Sequence, residues 1–151
     1  MIELDETDRA FLRALAEDAT LSAGELGRRF GLSQPAAWRR VKRLYESGVI
    51  RGRRLDLDRE ALGYPVTVFL GVKLATKGRV SLEDFERVVT AIPEVQAVHH
   101  VLGVFDYRLR VVARDLADFE RILRRRIMTL PGVGEVEANV VLSEERLPGP
   151  I

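Results

Sequence analysis

Residues 82–95, LEDFERVVTAIPEV, and residues 116–133, LADFERILRRRIMTLPGV, are one phrase written twice. Leu82-Glu83-Asp84-Phe85-Glu86-Arg87-Val88 returns as Leu116-Ala117-Asp118-Phe119-Glu120-Arg121-Ile122, and Ile92-Pro93-Glu94-Val95 returns as Leu130-Pro131-Gly132-Val133. Between these matched points the second copy is four residues longer. That is about one helical turn, so the insertion is expected to keep the helical phase.

Working outward, the chain predicts a strand over Val66–Ala75, a helix over Leu82–Ile92, strands over Val95–Leu102 and Phe105–Ala113, a helix over Leu116–Leu130 and a strand over Val133–Ser143. The order β-α-β-β-α-β belongs to an α+β, ferredoxin-like sandwich, with one sheet carrying two helices on one face. Strand parity then sorts the side chains. Val66, Val68, Leu70, Val72 and Leu74 share a face, as do Tyr107, Leu109 and Val111, and Val136, Ala138, Val140 and Leu142; these are expected under the helices. The other face carries Thr67, Phe69, Lys73, Arg108, Arg110, Glu135, Glu137 and Asn139. Its mixed signs suit a second copy laid sheet to sheet, with arginines and glutamates pairing across a two-fold axis; a simply wet face is the alternative.

The composition narrows the function. At 151 residues with 46% hydrophobic content the chain can bury a real core. It lacks a membrane-spanning run and its start, MIELDETD, does not read as a signal peptide, so a cytoplasmic protein without membrane contact is expected. There are no cysteines, which removes disulfides, zinc knuckles and thiol nucleophiles. The two histidines, His99 and His100, are adjacent and point to opposite faces of a strand, where packing or interface roles are expected. Neither a metal nor another cofactor is expected, and no catalytic constellation stands out. The net charge of +1 hides a local excess: Arg28, Arg29, Arg39, Arg40, Lys42, Arg43, Arg51, Arg53 and Arg54 are opposed within residues 28–54 only by Glu46. Such a field draws polyanions, although a solvated surface run would produce it as well.

Its placement gives it meaning. Asp5 caps a first helix whose stripe is Ala10, Phe11, Leu12, Ala14, Leu15 and Ala19. Ser22-Ala23-Gly24-Glu25 is a capping box for a short second helix that carries Leu26 and Phe30 and is stopped by Gly31. Ser33 caps a third helix with Pro35 in its first turn, running to Gly48, with Ala37, Val41 and Leu44 inward. Two helices joined by Phe30-Gly31-Leu32-Ser33, the second with a basic outer face, form a helix-turn-helix whose second helix enters a major groove of double-stranded DNA. Gln34 and Pro35 lie at the end that approaches base edges. Gln34 can pair with adenine, while Arg39, Arg40, Lys42 and Arg43 can serve guanine or phosphate. Trp38 either caps the small core or lies exposed against sugar and phosphate, and the Ser33 hydroxyl is a cap first. After Gly48, a short strand is expected over Val49–Leu57, in the manner of a winged helix, and then a linker over Asp58–Gly63. The domains are thus 1–63 and 64–151.

Read whole, the chain resembles the Lrp/AsnC, or feast/famine, family of transcription regulators. The resemblance rests on Leu4-Asp5-x-x-Asp8, Leu32-Ser33 through Arg40-Val41-x-x-Leu44, Gly48-Val49-Ile50-x-Gly52, Pro93-x-Val95, Gly103-x-x-Asp106-Tyr107 and Leu130-Pro131-Gly132-Val133, in that order. It implies a homodimer through the C-terminal domains, often built into tetramers or octamers, with DNA bound near promoters and in many members an amino acid as effector near the Gly103–Tyr107 turn. By carry-over, the Gly103 backbone can approach a carboxylate and Asp106 can hold an ammonium group; a tight turn and a turn-stabilising bond are the plainer readings. Leu102 stands where the family often has serine or threonine, Asn139 where threonine is common, and His100 where an apolar residue is usual. Arg121, Arg124, Arg125 and Arg126 crowd the second C-terminal helix as a solvated face or a further DNA-wrapping surface. The rival readings are an amino-acid-sensing partner that no longer binds DNA, and an enzyme resembling the siroheme decarboxylases with His99, His100 and the sheet arginines as its only candidates.

Overall fold

Helix starts in this chain are fixed by side chains that satisfy the first backbone N–H groups. In the computed structural model of the protein, which describes residues 3–75, 79–145, 149 and 151, α1 spans Glu6–Glu17, α2 Ala23–Phe30 and α3 Gln34–Glu46. Asp5 accepts from the Asp8 N–H at 2.7 Å, Ser22 from Glu25 at 3.2 Å and Ser33 from Ala36 at 3.3 Å. The chain leaves α2 through Gly31, whose φ of 70° is a left-handed conformation that costs a residue with a Cβ more than glycine. Phe11, Ala14, Leu26, Ala37 and Leu44 form the buried centre, with the Phe11 and Phe30 rings 5.3 Å apart. Gly27 explains how closely the turn packs: a Cβ there would lie 2.7 Å from the Leu32 carbonyl oxygen.

The chain divides into two compact units, Met1–Asp56 with Glu145–Ile151, and Leu57–Glu144. The division falls at Asp56 rather than at Gly63, because residues 58–64 close a turn on themselves: Leu62, Gly63 and Tyr64 donate to Asp58, Glu60 and Arg59. The strand expected over Val49–Leu57 does not form. Residues 51–57 adopt no strand, because alternation becomes a strand only where a neighbouring edge supplies the ladder.

In the second unit, β1 (Val66–Leu74), α4 (Arg79–Val89), β2 (Val95–His100), β3 (Tyr107–Ala113), α5 (Leu116–Ile122) and β4 (Val133–Val140) follow in order. The sheet order is β2-β3-β1-β4 with antiparallel neighbours, the arrangement of a ferredoxin-like sandwich. Val68, Leu70, Val72, Leu74, Tyr107, Leu109 and Val111 pack with Phe85, Val89, Phe119 and Ile122. The four-residue insertion does not keep the helical phase. Past Ile122 the helix widens into a π turn over Leu123–Ile127, with the Met128 N–H donating to the Leu123 carbonyl at 2.8 Å. The wide turn carries three consecutive arginines past the core and buries Ile127 instead, five residues after Ile122.

Parity also fails on β4. Val136 packs against the core, but Ala138 is exposed, Val140 is 44% exposed and Leu142, beyond the strand, is 96% exposed. β4 is an edge strand, so only β1 flanks it, and its far half lies outside the core that α4 and α5 cover. On the open face Phe105 lies flat over Gly71, where a Cβ would come within 2.8 Å of the ring, and the Arg108 guanidinium stacks 4.6 Å from the ring centroid. Gly71→Ala is therefore expected to cost about 1–3 kcal/mol through overpacking. Thermal unfolding followed by circular dichroism checks this; an unchanged midpoint would mean that Phe105 swings aside freely.

Candidate nucleic-acid interface and effector turn

Charge and burial divide the third helix into two sides. Gln34, Pro35, Trp38, Arg39 and Lys42 are exposed, and the spacing 34-38-42 makes one continuous row along the helix. Trp38 is 53% exposed, so it does not cap the core; its indole lies under the Lys42 ammonium, 5.1 Å from the ring centroid. Ala37, fully buried, and Val41, partly buried, pack with Phe11, Ala14 and Leu26 on the other side of the helix. Ser33 is engaged as the cap, and Gln34 Cδ sits close to Gly24 of α2.

Arg40 and Arg43 lie off this row and reach α1. Arg40 Nη1 donates to Asp5 Oδ2 at 2.6 Å and to Asp8 Oδ1 at 2.9 Å, and Arg43 Nη2 donates to Asp8 Oδ2. Asp8 is fully buried. These two cations therefore serve the contact between α1 and α3, Arg40 partly covered and Arg43 exposed. A carboxylate taken out of water needs such partners, and two guanidinium groups provide them. The Asp8 N–H and Arg40 together hold the Asp5 carboxyl below the ordinary aspartate range. Sequence alone gives Asp5 a role as a cap and includes Asp8 in the Leu4-Asp5-x-x-Asp8 pattern, but assigns Asp8 no partner. The signal was available: Asp-x-x-Asp at a helix start is a capping pair whose second member, one turn in, points toward the neighbouring helices.

Among the described residues Arg28, Arg39, Arg51 and Arg54 form no ion pair, and Arg53 donates to the Tyr45 hydroxyl at 3.2 Å. The positive field is thus carried by α2, the outer row of α3 and the segment after it. The arginines of the second unit are quenched locally: Arg121 pairs with Asp118, Arg124 with Glu120 at 2.9 Å and Arg126 with Glu94 at 2.7 Å. Arg114 and Arg121 in turn hold the Asp118 carboxyl well below its usual range.

The turn between β2 and β3 places Leu102, Gly103, Asp106 and Tyr107 in sequence but not on one surface. Leu102 and Gly103 are fully out in solvent. Asp106 Oδ2 accepts from the Leu74 N–H at 2.8 Å, extending the β1–β3 ladder by a side-chain rung. Tyr107 is buried and its hydroxyl donates to Glu86 Oε1 at 2.7 Å; burial, then that carboxylate, push the phenol above its usual range. Asn139 lies on the opposite face of the sheet, paired in register with Phe69. His100 stacks on Tyr107 at 4.8 Å while His99 sits opposite Arg108, so the two rings do part to opposite faces. On the open face the ion pairs close within the chain: Lys73 with Glu135 and Arg108 with Glu137, both at 3.8 Å, and Arg110 with Glu144 at 2.8 Å. Pairing across a two-fold axis is not needed to neutralise them. Among the described residues, no three His, Asp or Glu side chains gather as a metal site requires, and no helix is long and apolar enough to cross a membrane.

Comparison with known proteins agrees with this geometry. Residues 4–45 match the AsnC-type helix-turn-helix domain and residues 67–148 the Lrp/AsnC ligand binding domain. The chain is 37% identical to the Bkd operon transcriptional regulator of Pseudomonas aeruginosa, covering 97% of this chain and 96% of that one. It is 36% identical to a proline dehydrogenase transcriptional activator of Rhizobium radiobacter, over 97% and 94% of the two chains. A transcriptional regulator of Neisseria meningitidis, solved as its L-Met complex, superposes with a TM-score of 0.90 at 29% identity, over 96% of this chain and 94% of that one.

Removing the buried carboxylate tests the contact between α1 and α3. Asp8→Ala is expected to destabilise the first unit by about 3 kcal/mol, the low end for a broken buried pair because both guanidinium groups keep some water. In a double-mutant cycle measured by denaturant unfolding, Asp8→Ala and Arg40→Ala should be clearly non-additive. Additive losses would show that the pair is incidental.

Proposed function

The chain belongs to the Lrp/AsnC family of DNA-binding transcription regulators, and from that premise we propose that its first unit reads double-stranded DNA through the outer row of α3 while its second unit assembles copies of the chain and binds a free amino acid. The observation that carries the reading is the division of the α3 side chains: Arg40 and Arg43 pair with Asp8 of α1, whereas Gln34, Trp38, Arg39 and Lys42 stand exposed along one side, Lys42 paired with Glu46 of its own helix. Gln34 serves as the base reader, Pro35 and Ser33 set the helix end close to the backbone, and Arg39 and Lys42 meet guanine or phosphate. Trp38, with its ring against Lys42, lies flat along the sugar edge. Arg40 and Arg43 support this face from behind.

The open sheet face, with Phe69 44% exposed among Lys73, Arg108, Arg110, Glu135 and Glu137, serves as the contact between copies. An effector at the Gly103 turn would meet Leu102, the Gly103 backbone and Asp106, with Asn139 offered from the open face; Tyr107 acts from beneath by fixing the turn. The relative solved with L-Met supports an amino acid as the ligand class. We read the chain as a cytoplasmic regulator rather than an enzyme, working without a metal or cofactor. The full-length similarity to named transcription regulators favours DNA binding over the sensor and tetrapyrrole alternatives.

Footprinting on its own upstream region should reveal protected half-sites about 10 base pairs, or a multiple of that, apart. Arg39→Ala should weaken binding and lower the salt slope by about 1 without moving the melting midpoint, whereas Arg40→Ala should lower the midpoint. Protection without sequence preference at moderate salt would overturn the proposal. For the effector, a melting screen with the twenty amino acids should raise the midpoint for at least one of them. A flat screen would remove the amino acid from the reading.

A further inference from the structure

Arg9, Leu12 and Ala16 follow one another three and four positions apart, so they line up along one side of α1. With Val49 and Ile50, which come after α3, they bound a groove of about 870 Å³, within the size range of small-ligand sites. Every residue that lines it belongs to the first unit. Apart from Tyr45 and four arginines, Arg9, Arg51, Arg53 and Arg54, its side chains are aliphatic, and among the described residues no acidic side chain lines it. Arg9, Arg51 and Arg54 form no ion pair among the described residues. Arg53 is held by one corner: its Nε donates to the Tyr45 hydroxyl at 3.2 Å. Both Nη groups, the side of the guanidinium fork that suits a carboxylate, are left over.

We propose that this groove binds an aliphatic carboxylate, with its chain along Leu12, Ala16, Val49 and Ile50 and its head on the Arg53 fork. Charge complementarity selects the class. Four cations without an acid require an anion, and an aliphatic lining requires a chain free of polar groups. A free amino acid fits poorly, because its ammonium group would stand among guanidinium groups with no acceptor. A phosphate backbone would match the arginines but leave the aliphatic lining uncovered. The ligand therefore differs in class from the amino acid read for the second unit. Its binding also neutralises part of the positive field of the first unit, so the bound acid weakens DNA binding, and DNA weakens the acid by the same factor. This second step rests on the DNA-binding reading above.

Titration calorimetry of the full chain with octanoate should show one saturable site per chain. Affinity should rise about fourfold for each methylene from butyrate to octanoate, 1-octanol should bind at least about tenfold more weakly and octylammonium not at all. Ala16 is exposed on α1 and outside the DNA-reading row, so Ala16→Trp should fill the groove and abolish octanoate uptake while leaving DNA binding unchanged. Arg53→Gln should reduce octanoate to the affinity of octanol. Absence of saturable uptake, or equal uptake of octanoate and octanol, overturns the carboxylate site; uptake unchanged by Ala16→Trp puts the ligand elsewhere and overturns it equally. In a gel-shift titration octanoate should weaken DNA binding several-fold in the unaltered protein and leave Ala16→Trp unaffected. No weakening overturns the coupling. If the unaltered protein binds no DNA yet takes up octanoate, the DNA reading fails and the site stands.

Discussion

Asp8 is the residue on which the first unit depends. A carboxylate with no exposed surface is tolerable only when charge and hydrogen bonds replace its water, and here the replacements come from two places at once. The Asp5 N–H reaches back from the helix start, and Arg40 and Arg43 reach in from α3. The same group therefore closes the first turn of α1 and fixes the rotation of α3 about its own axis. Rotation matters more than proximity. Once Arg40 and Arg43 are committed to Asp8, the 34-38-42 row has only one way to face.

A comparable arrangement orders the second unit. Asp118 is its one buried acid among the described residues, again three residues after a capping aspartate, and again held by arginines, Arg114 and Arg121. Here the arginines come from the helix and its approach rather than from another element, so the contact fixes where α5 begins instead of how two helices cross. Beneath it, Tyr107 joins the sheet to α4 through Glu86, and the Phe85 and Tyr107 rings meet at 4.7 Å. The turn after β2 is tied on one side by this phenol and on the other by Asp106, leaving only its tip free.

Much of this was legible in the sequence because it was local. The caps at Asp5, Ser22 and Ser33 need only three-residue spacing, and the β-α-β-β-α-β order needs only the repeat and the strand alternation. What escaped required knowing what lies across the fold. The pairing of Arg40 with Asp8 joins residues 32 positions apart, which no local pattern shows. Val140 and Leu142 read as core until β4 is known to be an edge. The segment after Gly48 alternates like a strand, yet a strand exists only where a second edge supplies hydrogen bonds. The insertion before Ile127 looked like a whole turn because sequence spacing alone cannot register a π turn.

The closed ion pairs on the sheet face have one more implication. Lys73, Arg108 and Arg110 each meet a glutamate of the same chain, so that surface presents rows of dipoles and little net charge. If copies meet there, little counterion atmosphere is displaced, and the association responds weakly to ionic strength. The cations of the first unit stand in the opposite regime, where each neutralised phosphate frees a condensed ion. Salt then acts on the two equilibria separately. On the proposed assembly through that face, a rise in ionic strength would strip the protein from nucleic acid with its copies still joined, ready to rebind without reassembling.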